Sequence, residues 1–332
     1  MSTSPQLVPI LVRARDPRRR PRVPTAAVVR LAIHQHRIVL ALAVPVLAVL
    51  TLWTRDVAAQ AVAAHAQLAA GGCLSGPSAA SEGCLDLVQQ VQSASQAVRH
   101  LQYALVALPV LAGLFFGAPL VAREFEQGTH RLAFSQSVSP QQWLRGQLAL
   151  ACGAALLVGT AGAALGVWLH DAVGPAVFPG DGAFMLLPYN ADGPVLAAST
   201  LLAVALGVVA GTLTRRTLAA MAAMLGLYGA AMAALTWLRQ YLQPVRTLLT
   251  HHGYDLAPDD WLLRDGVQLA DGHRLLYAQC GPGGCPDGAP TFEDYHTADQ
   301  LWPMQWAEAG LMVLLAAAAL ALAHRALRRP RG

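Results

Sequence analysis

Three adjoining stretches decide the fold: YALVALPVLAGLFFGAPLVA (Tyr103–Ala122), REFEQGTHRLAFSQSVSPQQWLRGQ (Arg123–Gln147) and LALACGAALLVGTAGAALGVWL (Leu148–Leu169). The outer two contain no Arg, Asp or Glu, and each is about as long as the roughly 20 residues a helix needs to cross a ~30 Å hydrocarbon layer. The middle stretch gathers Arg123, Glu124, Glu126 and Arg131 within nine residues. It is a compact charged loop held at both ends by membrane helices, where a soluble partner could push.

The same pattern recurs along the chain. Further apolar runs occupy Ile38–Trp53, Val195–Leu213, Leu218–Trp237 and Ala309–Ala323. Of the 332 residues, 55% are apolar and 13% charged, against roughly a quarter charged in soluble domains. Trp53, Trp302 and Trp306 flank the two shorter runs as interfacial anchors do. The reading is an all-α polytopic membrane protein of six transmembrane helices, with an N-terminal interfacial elbow helix and extracytoplasmic loops. The expected spans cover residues 31–53, 103–122, 146–169, 195–213, 217–237 and 306–324 of a domain at 24–325. Outer loops lie at 54–102, 170–194 and 238–305, the inner loop at 123–145, and basic cytoplasmic ends at 1–23 and 326–332.

Arginine sets the orientation, because the chain has no lysine. With both termini cytoplasmic, seventeen of the 23 basic residues fall on the inner segments and sixteen of the 19 carboxylates on the outer ones. That is the positive-inside distribution. It makes the pI a record of topology and argues against nucleic acid as a partner. Cysteines agree: Cys73 and Cys84 share the first outer loop, Cys280 and Cys285 the last, and Cys152 lies alone in a span. Both pairs are disulfide candidates on an oxidising side. No apolar core precedes residue 31, so the first span is expected to act as an uncleaved anchor.

Residues 1–23 are rich in Pro and Arg and are expected to be disordered or to lie on anionic headgroups. Thr25–Ile38 reads either as an elbow lying in the interface or as a continuation of the first span. In the first outer loop Leu85, Val88, Val91, Val98 and Leu101 recur at helical spacing, so the first two spans are expected to project as a hairpin clasped by Cys73–Cys84. The last outer loop is expected to form a small cap without an independent core.

Several chemistries are disfavoured. Without lysine no ordinary phosphate-gripping loop G-x-x-x-x-G-K-[ST] can form, so this chain is expected to carry no cofactor and to hydrolyse no ATP. His251, His252 and Asp255, with His273 and His296, invite a metal site, although loop histidines are more often solvated and no metal is expected. The spans nearly lack ionisable groups, which argues against proton-coupled transport.

The inner loop remains. Glu124 and Glu126 are expected near the start of a short helix, where negative charge suits the dipole. Gly128-Thr129 would end it, and Ser139-Pro140 would start the next. A solvated turn is the alternative. The run Arg123-Glu124-Phe125-Glu126-Gln127-Gly128-Thr129-His130-Arg131-Leu132-Ala133, followed by Gln136-Ser137-Val138-Ser139 and Trp143-Leu144, resembles the segment after the second span of ABC-2 type (type V exporter) permeases, most closely an actinobacterial branch. Pro140 and Gln147 depart from that pattern, where basic residues are common.

The resemblance implies the membrane subunit of an ATP-driven ABC exporter in the cytoplasmic membrane. A separate cytoplasmic ABC ATPase would bind ATP and Mg. A second permease copy or a homologous permease would complete a dimer. Arg123, Glu124, Phe125, Glu126, Gly128, Thr129 and Arg131 would couple the two proteins. The uncharged spans suggest amphipathic or lipid-like cargo. The competing reading is a non-transporting membrane anchor or sensor that binds a ligand or partner through its outer loops.

Overall fold

The computed structural model of the chain describes residues 25–73, 82–128, 140–174, 182–251, 256–257, 259–281, 283–286 and 288–328. The elements in order are α1 (Thr25–Ala70), α2 (Glu82–Ala112), a π-helical turn (Gly113–Gly117), α3 (Ala118–Glu126), α4 (Pro140–Val173), α5 (Leu186–Ala191), α6 (Gly193–Thr214) and α7 (Thr217–Leu238). Four strands follow, β1 (Arg246–Thr250), β2 (Trp261–Gln268), β3 (Arg274–Leu276) and β4 (Thr291–His296), and α8 (Leu301–Arg328) closes the chain. Six helical segments are long and apolar enough to cross a membrane, and each expected apolar run lies within one of them. α2, the π-turn and α3 form one continuous rod from Glu82 to Glu126.

α6 is the hub. It is apolar all round, so it can be covered on every side, and it packs against α2, α3, α4, α7 and α8. Its closest approach is to the π-turn. Gly207 faces the Gly113 and Gly117 backbone, and Gly211, one turn further on, faces Ala118 and Ala122 of α3. A Cβ on Gly117 would lie 2.7 Å from the Val204 carbonyl oxygen, and one on Gly207 2.6 Å from the Ala118 nitrogen. Neither distance is sterically tolerable, so only glycine lets these backbones meet. In lipid, where apolar burial gives little drive between helices, such close packing supplies the attraction.

Beyond the spans, α1 and α2 pack as the expected hairpin, with Val57, Ala61 and Leu68 against Val91, Val98, Leu101 and Leu105. Cys73 and Cys84 are disulfide-bonded, their Cα atoms 5.5 Å apart. Leu85 corrects the expected face: it is 53% exposed, and Cys84 takes the buried position one residue earlier. The segment expected as an elbow is the first part of α1, which runs unbroken from Thr25.

The stretch between α7 and α8, expected as an outer loop, departs most from an all-helical reading. β1 to β4 form an antiparallel sheet in the order β1-β4-β2-β3. The sheet borrows its packing from elsewhere: Phe184, from the loop before α5, stacks on Trp261 with ring centroids 5.7 Å apart, and Trp261 also meets His296. His296 is buried, its ring nitrogens 3.1 Å from Gln300 Oε1 and 3.1 Å from the Gln240 carbonyl oxygen. The cap is thereby fixed to the ends of α7 and α8. Cys280 and Cys285 are bonded across the turn before β4, with Cα atoms 5.0 Å apart.

Candidate functional site

The candidate coupling segment lies where the α2–α3 rod ends. Arg123, Glu124, Phe125 and Glu126 form the last turn of α3, not the start of a separate helix as expected from the sequence. Gln127 N donates to the Arg123 carbonyl at 2.9 Å, and Gly128 then turns the chain away at φ 71°, so the glycine does end the helix. Thr129 and Arg131 lie outside the described residues.

The two carboxylates therefore stand at a helix C-terminus, where the dipole disfavours negative charge. Glu126 resolves this by serving a different helix. Its Oε2 accepts from Thr217 N at 3.0 Å and from Thr217 Oγ1 at 2.6 Å. Thr217 opens α7, and a helix start has backbone N–H groups without partners in its own first turn. Glu126 thus caps α7 from 91 residues away. The α6–α7 turn fits this arrangement. Arg215 adopts the left-handed conformation (φ 56°) that closes α6, and its guanidinium lies 4.9 Å from the Phe125 ring centroid. On the other side Phe125 meets the buried Trp143 edge to face, with centroids 6.5 Å apart. Segment 123–128, the start of α4 and the α6–α7 turn thus form one connected surface at the arginine-rich end of the bundle.

The opposite, sheet-bearing end holds a second polar assembly that sequence reasoning missed. Arg239 and Glu308 are buried, with side chains 2% and 0% exposed. Arg239 donates from Nε to Glu308 Oε2 at 2.9 Å and from Nη2 to Oε1 at 3.1 Å, while Nη2 also reaches Asn190 Oδ1 at 3.3 Å. Its guanidinium stands 3.5 Å over the Tyr189 ring. Beside it, Gln305 Nε2 donates to Asp192 Oδ1 at 2.7 Å and to the Tyr189 carbonyl at 3.3 Å. Asp192 Oδ2 faces His170 Nδ1 at 3.5 Å. Burial raises the Asp192 carboxyl above the usual aspartate range, against the lowering effects of the Gln305 amide and His170. The available signal was one arginine and one glutamate, each bordering an apolar run, with opposite charge.

Asp192 and His170 border a cavity of about 220 Å³ that is also lined by His65, Arg99 and Tyr103 from the hairpin. Among the described residues no group of three or more His, Cys, Asp or Glu is arranged to hold a metal. His251 is described, but His252 and Asp255 lie outside the described residues; His273 is exposed beside the β2–β3 turn.

A family model described as ABC-2 membrane transporter related matches residues 40–239, more than half of the chain. The match contains segment 123–128, α6 and α7. No curated protein and no solved structure matches the chain.

Proposed function

This chain belongs to the ABC-2 membrane transporter related family, and from that premise we propose that it is the permease subunit of an ATP-driven exporter. As a family member it is a multi-pass membrane protein and a transport subunit. The finer reading places its termini and segment 123–128 on the cytoplasmic side. There a separate ABC ATPase, binding ATP and Mg, docks on the end of α3, and two six-span halves pair around an amphipathic or lipid-like substrate.

The observation that carries this reading is the family match over the segment whose acidic and aromatic residues gather at one end of the bundle. Glu124 and Arg123 are the charged groups offered to the ATPase. Glu126 is held by Thr217 and acts within the permease. The energy comes from outside, because a chain without lysine builds no ordinary phosphate loop. Nucleotide binding by the partner then shifts the bundle between two states by its differential affinity for them.

Isolation of the chain in mild detergent tests the proposal. The expected result is co-isolation of an ATPase with its own P-loop, with ATP turnover stimulated by the permease and lost on Glu124→Ala. Isolation without an ATPase, together with impermeant labelling of position 124 from the extracytoplasmic side, refutes it. That outcome would favour an anchor or sensor, for which the cavity at the sheet end is the candidate ligand site.

A further inference from the structure

α7 is gripped at both ends and, between them, packed along one edge against α6, α3 and the π-turn. At its start, Thr217 is held by Glu126 of α3 through two hydrogen bonds. Immediately past its end, Arg239 is held by Glu308 of α8 and Asn190 of α5. Between these pins only Ala220, Met224, Tyr228 and Leu235 are buried, and 22% of its most apolar window is covered, against 83% for α6. Twenty-two helical residues at about 1.5 Å each make a rod roughly 33 Å long.

These features separate α6 from α7, the two helices against which α3 packs most. α6 is locked to the π-turn and to α3 by the close backbone approaches at Gly207 and Gly211 and is largely covered, so sliding it would repack the close-packed centre. α7 has one packed edge and a specific grip at each end. Pulling on Glu126 displaces the start of α7 directly. A stiff helix delivers that displacement to Arg239, and the bidentate Arg239–Glu308 pair passes it to α5 and α8. Asp192, immediately after α5, borders the cavity at the sheet end.

We propose that α7 is the strut that carries movement of the coupling segment to the sheet-end cavity, with Glu126 as the positioning residue that engages it. This rests on the reading that an ATPase moves segment 123–128. Glu126 works as a hydrogen-bond acceptor for Thr217, and charge is not what its role requires. A glutamine keeps an acceptor oxygen and an alanine does not; a serine at 217 keeps the hydroxyl donor and a valine does not.

The test uses the full-length permease with its ATPase in nanodiscs, carrying Cys152→Ala and a reporter Ser95→Cys on the cavity wall. The rate of modification by an impermeant thiol reagent is read with and without ATP, and ATPase co-isolation is scored for every variant. The wild-type background is expected to change rate on ATP addition. Glu126→Ala and Thr217→Val are expected to lose that change while retaining the bound ATPase, and Glu126→Gln and Thr217→Ser to keep it. A change that survives both Glu126→Ala and Thr217→Val overturns the strut. Loss in Glu126→Gln as complete as in Glu126→Ala overturns the acceptor role and returns Glu126 to a charge contact with the ATPase. Absence of any ATP response in the wild-type complex overturns the exporter reading itself, which is a separate result.

Discussion

Glu308→Gln is the perturbation whose cost the structure defines best. A guanidinium is a planar, delocalised cation, and the Arg239 side chain is 2% exposed. Its compensation consists of the bidentate carboxylate at 2.9 and 3.1 Å, one amide oxygen at 3.3 Å and the Tyr189 ring face. Glutamine keeps one acceptor and removes the carboxylate charge that, among the described residues, pairs with the guanidinium. Removing one partner of a buried pair costs about 3–5 kcal/mol, because the remaining charge stays buried and uncompensated. At roughly 2–4 °C per kcal/mol the unfolding midpoint should fall on the order of 10 °C. Replacing both partners, as in Arg239→Met with Glu308→Leu, removes the uncompensated charge and should recover most of the loss, since apolar replacements of buried pairs are often neutral. The assay is thermal unfolding of the purified chain in one detergent, with wild type, Arg239→Met, Glu308→Leu and the double variant run as a four-member cycle beside Glu308→Gln, so that the coupling is read directly. If both single variants shift the midpoint no further than the double, the pair is hydrated and the argument from burial fails.

Other consequences are as direct. Gly207→Leu places a side chain where even a Cβ lies 2.6 Å from Ala118 N and 2.8 Å from the Gly113 carbonyl oxygen; α6 and the π-turn must separate, and the variant should be recovered aggregated or proteolysed, whereas Gly226→Ala, with open space at its Cβ, should not. Because burial raises the folded-state pKa of Asp192 above its usual 3.8, the ionised form is disfavoured on folding. Its contribution to stability therefore worsens as pH rises from about 4 through the raised value. Asp192→Asn should gain on the wild type over that window in thermal unfolding, with His170 and Asp171 the neighbouring groups that shape the curve; a pH-independent difference would contradict it. Cys73→Ala with Cys84→Ala opens a crosslink between residues eleven apart, worth roughly 3 kcal/mol by loop-closure entropy, and should make the hairpin tip protease-sensitive while the spans stay folded. An unchanged digestion pattern would mean that α1–α2 packing alone holds the tip.

Some elements were legible along the chain because the physics that forms them is local. Hydropathy summed over about 20 residues is enough to require a helix in lipid, where every backbone polar group must be paired within the segment. Hence each apolar run lies inside a long helix. Gly128 ended α3 as expected from its own conformational freedom, and the cysteine pairs met because each sits across a short loop. The sheet was not legible. β2 and β4 do not alternate cleanly, with Arg264-Asp265 and Glu293-Asp294 inside the strands, and their apolar cover comes from Phe184 and the helix ends.

The candidate site divides in the same way. Its residues were visible as a charged cluster between two spans, but their placement was not. Glu124 and Glu126 read as the start of a helix because acidic residues favour that end, and they close one instead. Composition along the chain determined six long apolar helices, the charge asymmetry between their two ends and the absence of a phosphate-gripping loop. Only the tertiary structure decided that Glu126 caps α7 across 91 residues and that Arg239 meets Glu308 across 69. Partitioning into lipid is a sum over neighbouring residues, whereas the partner of a buried charge is set by which helices α6 brings together.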